Sequence, residues 1–156
     1  MTEDRAYRDA LGCFPTGVAL VTHTQQGEAR AMTINSFASV SLTPRLVLWS
    51  LDRGSDRFDA FLAAGHYAIN VLAADQAQLS SACAMTDELE SAGGQWTPGA
   101  NGAPLVEGAI ARFECTRVAV HPGGDHVIIV GEVTGFDRPR QAPALVFHKS
   151  VYGQAG

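Results

Sequence analysis

The stretch ARFECTRVAVHPGGDHVIIVGEVTGF, residues 111–136, indicates the fold of this chain. Two runs rich in Val, Ile, Phe and Thr flank Pro122-Gly123-Gly124, a sequence typical of a tight turn. Glycines in such a turn supply the positive φ angles that reverse the chain. We therefore predict strands over 111–121 and 126–136, joined as a β-hairpin.

The flanking sequence continues the β pattern and adds short helices. Strands are predicted at 18–22, 29–43, 46–51, 66–72 and 144–148, with the polar turn 25–28 joining the first two. Helices are predicted at 4–14, where Pro15 ends the helix and the apolar residues pack, at 55–65, capped by Ser55, and at 75–84, capped by Asp75. Consecutive hairpins without βαβ alternation favour a mainly β fold with short helices, a six- to seven-stranded antiparallel barrel that is closed or nearly so.

Residues 85–104 show little hydrophobic periodicity. They contain four glycines and two prolines. We predict a long surface loop, of the kind that enzymes often use as a lid.

Length, composition and charge limit the function classes. A chain of 156 residues with 46% hydrophobic residues fits a single domain over 1–156. The net charge of −5 and the absence of a Lys/Arg cluster argue against nucleic-acid and anionic-membrane partners. Three widely spaced cysteines and the lack of a membrane-length apolar run predict a cytoplasmic protein without a disulfide framework.

A stripe of hydrogen-bonding side chains runs along residues 32–43. Its polar odd positions are Thr33, Asn35, Ser39, Ser41 and Thr43. On one continuous strand these side chains share a face, because alternate residues point to the same side. The stripe either binds an anionic phosphate or a polar ring, or is an ordinary solvated strand face.

A second candidate segment, Asp52 to Arg57, lies between a predicted strand and a predicted helix. Ser55, the first amides of the helix and one of the two arginines, Arg53 or Arg57, are suited to hold a phosphate. The alternative is a plain helix cap.

The hairpin turn contributes a third candidate, His126, which follows Gly123-Gly124-Asp125. Loop tips are common positions for functional residues, although a histidine in a turn is more often simply solvated. The other four histidines show no spacing typical of metal ligands, so we predict no metal site. The sequence also contains no GxGxxG after a strand, no P-loop and no GxSxG elbow.

Taken together, the motifs resemble the flavin reductase family with an FMN-binding split barrel, the small components of two-component flavin-dependent monooxygenases. The resemblance covers nearly the whole chain, and its segments are ALGCFPTGVALVT (10–22), TINSFASVSL (33–42), LWSLDRGS (48–55), YAINVL (67–72), GAPL (102–105), GDH (124–126), GEV (131–133) and FHKSVYG (147–153). Ser150 departs from the pattern, because a glycine is usual before the terminal aromatic residue.

The resemblance implies a split barrel that forms a homodimer and reduces FMN or FAD with NADH or NADPH for an oxygenase partner. The flavin-binding candidates are Thr33, Asn35, Ser36, Ser39, Ser41, Ser50, Ser55 and Arg57. His126 is the candidate for nicotinamide binding. Two alternatives stay open: a split-barrel oxidase of the pyridoxamine phosphate oxidase type, and a noncatalytic flavin carrier.

Overall fold

A computed structural model describes residues 2–156, which are mostly β-structure. The helices are α1 (Glu3–Gly12), α2 (Phe58–Ala63) and α3 (Ala77–Met85), and a one-turn 3₁₀ helix, Ala74–Gln76, precedes α3. The strands are β1 (Thr16–Gly17), β2 (Ala19–Gln25), β3 (Glu28–Ile34), β4 (Ala38–Leu42), β5 (Arg45–Asp52), β6 (His66–Val71), β7 (Trp96–Pro98), β8 (Pro104–Val106), β9 (Ala111–Gly123), β10 (His126–Asp137), β11 (Ala144–His148) and β12 (Val151–Ala155).

The central sheet has seven strands in the order β3-β2-β6-β9-β10-β5-β4. All its pairings are antiparallel, and the longest is the predicted hairpin of β9 with β10. The two outermost strands, β3 and β4, are consecutive in the chain, and only residues 35–37 link them. The fold class predicted from the sequence, a mainly β antiparallel split barrel with short helices, is confirmed.

The barrel interior is filled by side chains from six of these strands and α2. Trp49, Tyr67, Phe61 and Ile129 are among its fully buried members. Trp49 contacts both Phe61 and Tyr67 edge to face, with ring centroids 6.3 and 6.2 Å apart. This tightly packed interior makes the barrel a rigid support for the link 35–37 between the outermost strands β3 and β4, which we call the seam.

A second apolar cluster lies on the other face of β2 and β3. It contains Leu20, Cys83, Leu89, Val106 and Leu145. Because β2 contributes to both clusters, Val18 to Val21 form an uninterrupted apolar run rather than an alternating one.

The predicted strand over 29–43 is wrong as a single element. It divides into β3 and β4, and a β-bulge follows Ser39, so that Ser39 pairs with Val47 and Ser41 with Leu46. Consecutive partners on β5 face opposite sides of the sheet, so the two serines do not share a face. Strict polar alternation cannot reveal a bulge, since the pattern of residue types continues unchanged through it.

The predicted helix over 4–14 is shorter, Glu3–Gly12, and Thr2 caps it by accepting a hydrogen bond from the Arg5 backbone N–H at 3.1 Å. The predicted packing role is not seen within the chain. None of its residues is buried, and Tyr7, Leu11 and the following Phe14 are 66%, 56% and 76% exposed.

Both predicted side-chain caps of the later helices are wrong. Helix α2 begins after Arg57, and the Ser55 hydroxyl accepts from the Arg57 N–H within the preceding turn, at 3.1 Å. Asp75 lies within the 3₁₀ turn and pairs with Arg140, whose hydrogen bond lowers the pKa of this carboxyl.

Residues 85–104 are also more ordered than predicted. Leu89 and Ala103 are buried, and β7 pairs with β8 across the loop that contains Gly99 and Gly102. Hydrogen bonds from Ala31 N to Asp87 O (2.9 Å) and from Leu89 N to Ala29 O (3.3 Å) attach the segment along β3. The segment covers an edge of the sheet, a long-range role that local composition does not encode. Strands β1 and β12 were not predicted.

Candidate active site

Thr33 and Asn35 lie where β3 ends at the seam of the barrel. The Thr33 hydroxyl donates to the Ser80 carbonyl at 2.6 Å, which ties β3 to α3. Beside them is a cavity of about 240 Å³, lined also by Ala84 and Tyr152. The Ser80 hydroxyl lies 2.7 Å from the Tyr152 hydroxyl, so the wall of this cavity carries several hydrogen-bonding groups.

Ser36 connects the end of β3 to β5. Its hydroxyl accepts the backbone N–H of Ser50 at 2.9 Å. A larger cleft of about 640 Å³ opens on the same link, lined by Asn35, Ser36 and Phe37 and by residues of α1 and β1. Thr33, Asn35, Ser36 and Ser50 are therefore neighbours, as a shared site requires.

Arg57 joins the loop after β5 to the same region. Its guanidinium donates to the carbonyls of Ala31 (3.2 Å), Cys83 (2.8 Å) and Ala84 (2.8 Å). These bonds hold the last turn of α3 against β3. The predicted phosphate arginine thus has a structural role within the chain.

Ser39 and Ser41 follow Ser36 along the chain, and the structure separates Ser41 from the loop of Ser55. They lie on β4, and Ser41 is paired with Leu46 near the start of β5, whereas Ser55 follows the end of β5. The six residue steps from Leu46 to Asp52 correspond to roughly 20 Å at about 3.3 Å per step.

The turn that carries His126 lies against the loop of Arg53 to Arg57. Arg53 donates its backbone N–H to the Asp125 carbonyl (2.9 Å) and its Nε to the Gly124 carbonyl (3.1 Å). His126 pairs with Asp52 across β5 and β10. A histidine far from the hydroxyl stripe in sequence is therefore next to the predicted phosphate loop in space.

The imidazole of His126 is oriented by its neighbour. His126 Nδ1 lies 2.8 Å from Asp125 Oδ1, and this hydrogen bond holds the pKa of the Asp125 carboxyl below its usual value. Asp125 is 92% and His126 41% exposed, so the pair is accessible to a ligand.

Comparison with known protein families gives a match to the flavin reductase like domain over residues 11–156. The chain belongs to the flavin reductase-like family. An FMN reductase (NADH), SmoA, from Agrobacterium fabrum is 50% identical over 96% of this chain and 85% of its own length. The reductase component of a flavin-dependent trigonelline monooxygenase from Acinetobacter baylyi is 41% identical over 95% of this chain, which spans about half (48%) of that protein.

A solved structure extends the likeness to flavin reductase-like proteins with bound ligands. The NADH:FAD oxidoreductase SgcE6 of Streptomyces globisporus, in complex with NAD and FAD fragments, superposes with a TM-score of 0.90 at 34% identity. The superposition covers 99% of this chain and 93% of that one. The family, the fold and the enzyme class predicted from the sequence are thus confirmed.

The sequence did not predict that Arg53 contacts the turn of His126. It also did not predict the polar group beside Thr33, which consists of Ser80, Ser81 and Tyr152. The signals available for this group were the Ser80-Ser81 pair in a short helix and the presence of Tyr152 in the family-like segment 147–153. No helix within residues 2–156 is long and apolar enough to cross a membrane.

Proposed function

We propose that this protein is an NAD(P)H:flavin oxidoreductase that supplies reduced FMN or FAD to an oxygenase partner. The observation that carries the proposal is the loop from Arg53 to Arg57, in a chain of the flavin reductase-like family. This loop contacts the His126 turn through Arg53 and the strand of Thr33 through Arg57. Reductase components of two-component monooxygenases are among its relatives, which supports the oxygenase partner.

The seam fits a flavin on the chemistry of its donor set. The seam cluster consists of Thr33, Asn35, Ser36 and Ser50: Asn35 and Ser36 line the larger cleft, Thr33 lines the smaller cavity beside it, and Ser50 adjoins Ser36. Their hydroxyl and amide groups suit the heteroatoms of a polar ring. Ser55 and Arg57 follow on the adjoining loop and suit a phosphate. Ser39 and Ser41 on β4 remain proposed contacts of the flavin.

Bound flavin supplies the hydride-accepting chemistry, and the chain supplies binding and orientation. His126 at the glycine-flanked tip is proposed to contact the nicotinamide, because its turn lies beside the flavin loop. Holding the two rings in contact is the main contribution a protein makes to a hydride transfer.

Spectroscopy of the purified protein tests the activity. We expect catalytic NADH oxidation that depends on added free flavin and yields peroxide under oxygen. Flavin that stays bound in stoichiometric amount through gel filtration, with turnover indifferent to added flavin, would instead support the oxidase of the pyridoxamine phosphate type. Flavin binding without NADH oxidation would support the carrier.

Substitution of His126 tests the nicotinamide assignment. His126→Ala should lower the second-order rate of flavin reduction by NADH roughly 10- to 150-fold, the loss of a contact of about 1.5 to 3 kcal/mol, with flavin affinity nearly intact. His121→Ala, at an exposed position on the neighbouring strand, is the matched control. A wild-type reduction rate in His126→Ala would remove the assignment.

A homodimer is proposed as the working form. The exposed apolar side chains of Tyr7, Leu11 and Phe14 follow helical spacing, and Leu11 and Phe14 border the cleft at Asn35. An apolar stripe of this kind is typical of a protein interface. Leu11→Glu should shift the protein toward the monomer in sedimentation analysis. A monomeric wild-type protein with full activity would contradict the proposal.

The cytoplasm is the proposed compartment, because all three cysteines are free and two of them, Cys83 and Cys115, are buried. A single domain over 1–156 stays a prediction.

A further inference from the structure

We propose that Arg53 and Asp125 are positioning residues that fix His126 with Nε2 as a hydrogen-bond acceptor for the carboxamide N–H of the nicotinamide. The inference rests on the proposed function and adds the residues and the atom that recognise the hydride donor.

Arg53 holds the backbone of the turn. Its N–H and its Nε each donate to a carbonyl of the two residues before His126, at 2.9 Å to Asp125 and 3.1 Å to Gly124. Gly124 has a φ of +70°, the left-handed conformation that glycine adopts at low cost. A flexible glycine turn is thereby fixed from one side by an arginine of the neighbouring strand end.

Asp125 fixes the imidazole itself. An ionised carboxylate only accepts hydrogen bonds, so the 2.8 Å contact requires that Nδ1 carry the proton. In the neutral imidazole, Nε2 then has a free lone pair and acts as an acceptor. The carboxamide of a dihydronicotinamide offers two N–H donors, whereas a carboxylate at the same ring position offers none.

The exposure of the pair separates this role from a structural one. A hydrogen-bonded pair as exposed as Asp125 and His126 contributes little to folding stability. Removal of the carboxylate should therefore leave the melting temperature unchanged while it changes the tautomer and the rate with NADH.

The first test is independent of catalysis and uses the flavin-free protein. Long-range ¹H–¹⁵N NMR at about pH 8.5, above the usual pKa range of histidine, should show His126 protonated at Nδ1 in the wild type. In Asp125→Ala this preference should be lost, and Asp125→Asn should keep much of it, because the amide oxygen still accepts. An unchanged tautomer in Asp125→Ala would overturn the proposal.

The second test is kinetic. Asp125→Ala and Arg53→Ala should each lower the second-order rate with NADH by about 3- to 10-fold, the range of one ordinary hydrogen bond, with the flavin Kd unchanged. Arg138→Ala removes the same charge from an exposed loop position and should match the wild type. A loss of flavin affinity in Arg53→Ala equal to the loss in rate would place the guanidinium in the flavin site and overturn its positioning role.

A third comparison tests the acceptor. Reduced nicotinic acid adenine dinucleotide should react more slowly than NADH with the wild type, and the ratio of the two rates should narrow in Asp125→Ala. Equal ratios in both proteins would refute Nε2 as the carboxamide acceptor. If the wild type lacks NADH:flavin activity while the tautomer result holds, the proposed function fails and the positioning role survives.

Discussion

His23 and Phe61 meet edge to face inside the barrel, with their ring centroids 4.5 Å apart. The His23 side chain is buried, and its Nε2 has no hydrogen-bond partner within residues 2–156. Burial lowers the pKa of this histidine from its usual 6.5, and nearby Arg30 adds to the effect.

Acid should therefore destabilise the fold through His23. The unfolded chain binds a proton near pH 6.5 while the folded chain resists it, so the free energy of unfolding is constant above that pH and falls below it, by at most about 1.4 kcal/mol per pH unit. His23→Phe should flatten this dependence in urea titrations between pH 7 and 5. His148→Gln, at an exposed position, should leave it unchanged, and an equal flattening in both variants would rule out His23 as the cause.

Gly131 on β10 is required by Tyr67. A Cβ at this position would collide with the Tyr67 hydroxyl and lie 3.2 Å from the Cβ of Cys115. We expect Gly131→Ala to lower the free energy of unfolding by about 1 to 3 kcal/mol, the cost of overpacking a core.

The double variant with Tyr67→Phe tests the cause of this loss, because it removes the hydroxyl that the methyl group meets. It should recover most of the stability lost in Gly131→Ala in chemical denaturation. Gly153→Ala is the control, since an added Cβ there meets nothing within 4 Å. Additive effects of the two core changes would contradict the steric explanation.

Ser55→Ala should weaken FMN binding by about 1.5 to 3 kcal/mol, the range for a hydrogen bond to a charged group. Riboflavin, which lacks the phosphate, should bind almost as well as to the wild type. Fluorescence titrations of both flavins make the measurement, and equal weakening of the two would show that Ser55 acts through the loop.

Ser39→Ala and Ser41→Ala should weaken FMN and riboflavin binding alike, because a phosphate held by Ser55 lies too far from Ser41 and leaves the β4 serines to contact the flavin ring, as the family resemblance also implies. The same pair of flavin titrations measures it. Unchanged FMN affinity in both variants would confine the site to the seam cluster and the loop after β5.

Ser150→Gly should stabilise the protein. Lys149 and Ser150 form the two-residue turn between β11 and β12, with φ angles of +50° and +63°. A left-handed conformation costs a residue with a side chain about 1 to 2 kcal/mol, and glycine avoids this cost. Glycine also increases the conformational entropy of the unfolded chain, which offsets part of the benefit, so we expect the free energy of unfolding to rise by about 0.5 to 1 kcal/mol. Thermal unfolding measures the gain, and a lower melting temperature would contradict it.

Much of the barrel could be predicted from the sequence, because β5, β6, β9 and β10 are bounded by clear turn residues. The β9–β10 hairpin was predicted almost to the residue. The division of β3 from β4 could not be predicted, since the residue pattern through Asn35 to Phe37 resembles a continuing strand.

The candidate site was predictable by residue type but not by arrangement. Thr33, Asn35, Ser36 and Ser50 are neighbours because the sheet curls, and His126 meets Arg53 because of the register of β10 against β5. Both depend on pairings between residues far apart in the chain, which a local pattern does not contain.

The bulge after Ser39 also bears on aggregation of the protein at high concentration. Strand β4 ends the sheet, and no strand of the part described pairs with its outer side. A flat, regular edge would be a template for addition of foreign strands and for fibril growth, and a bulge interrupts the even spacing of donors and acceptors that such growth needs. The irregularity that divides the two serines thus also guards the protein against aggregation at its open edge.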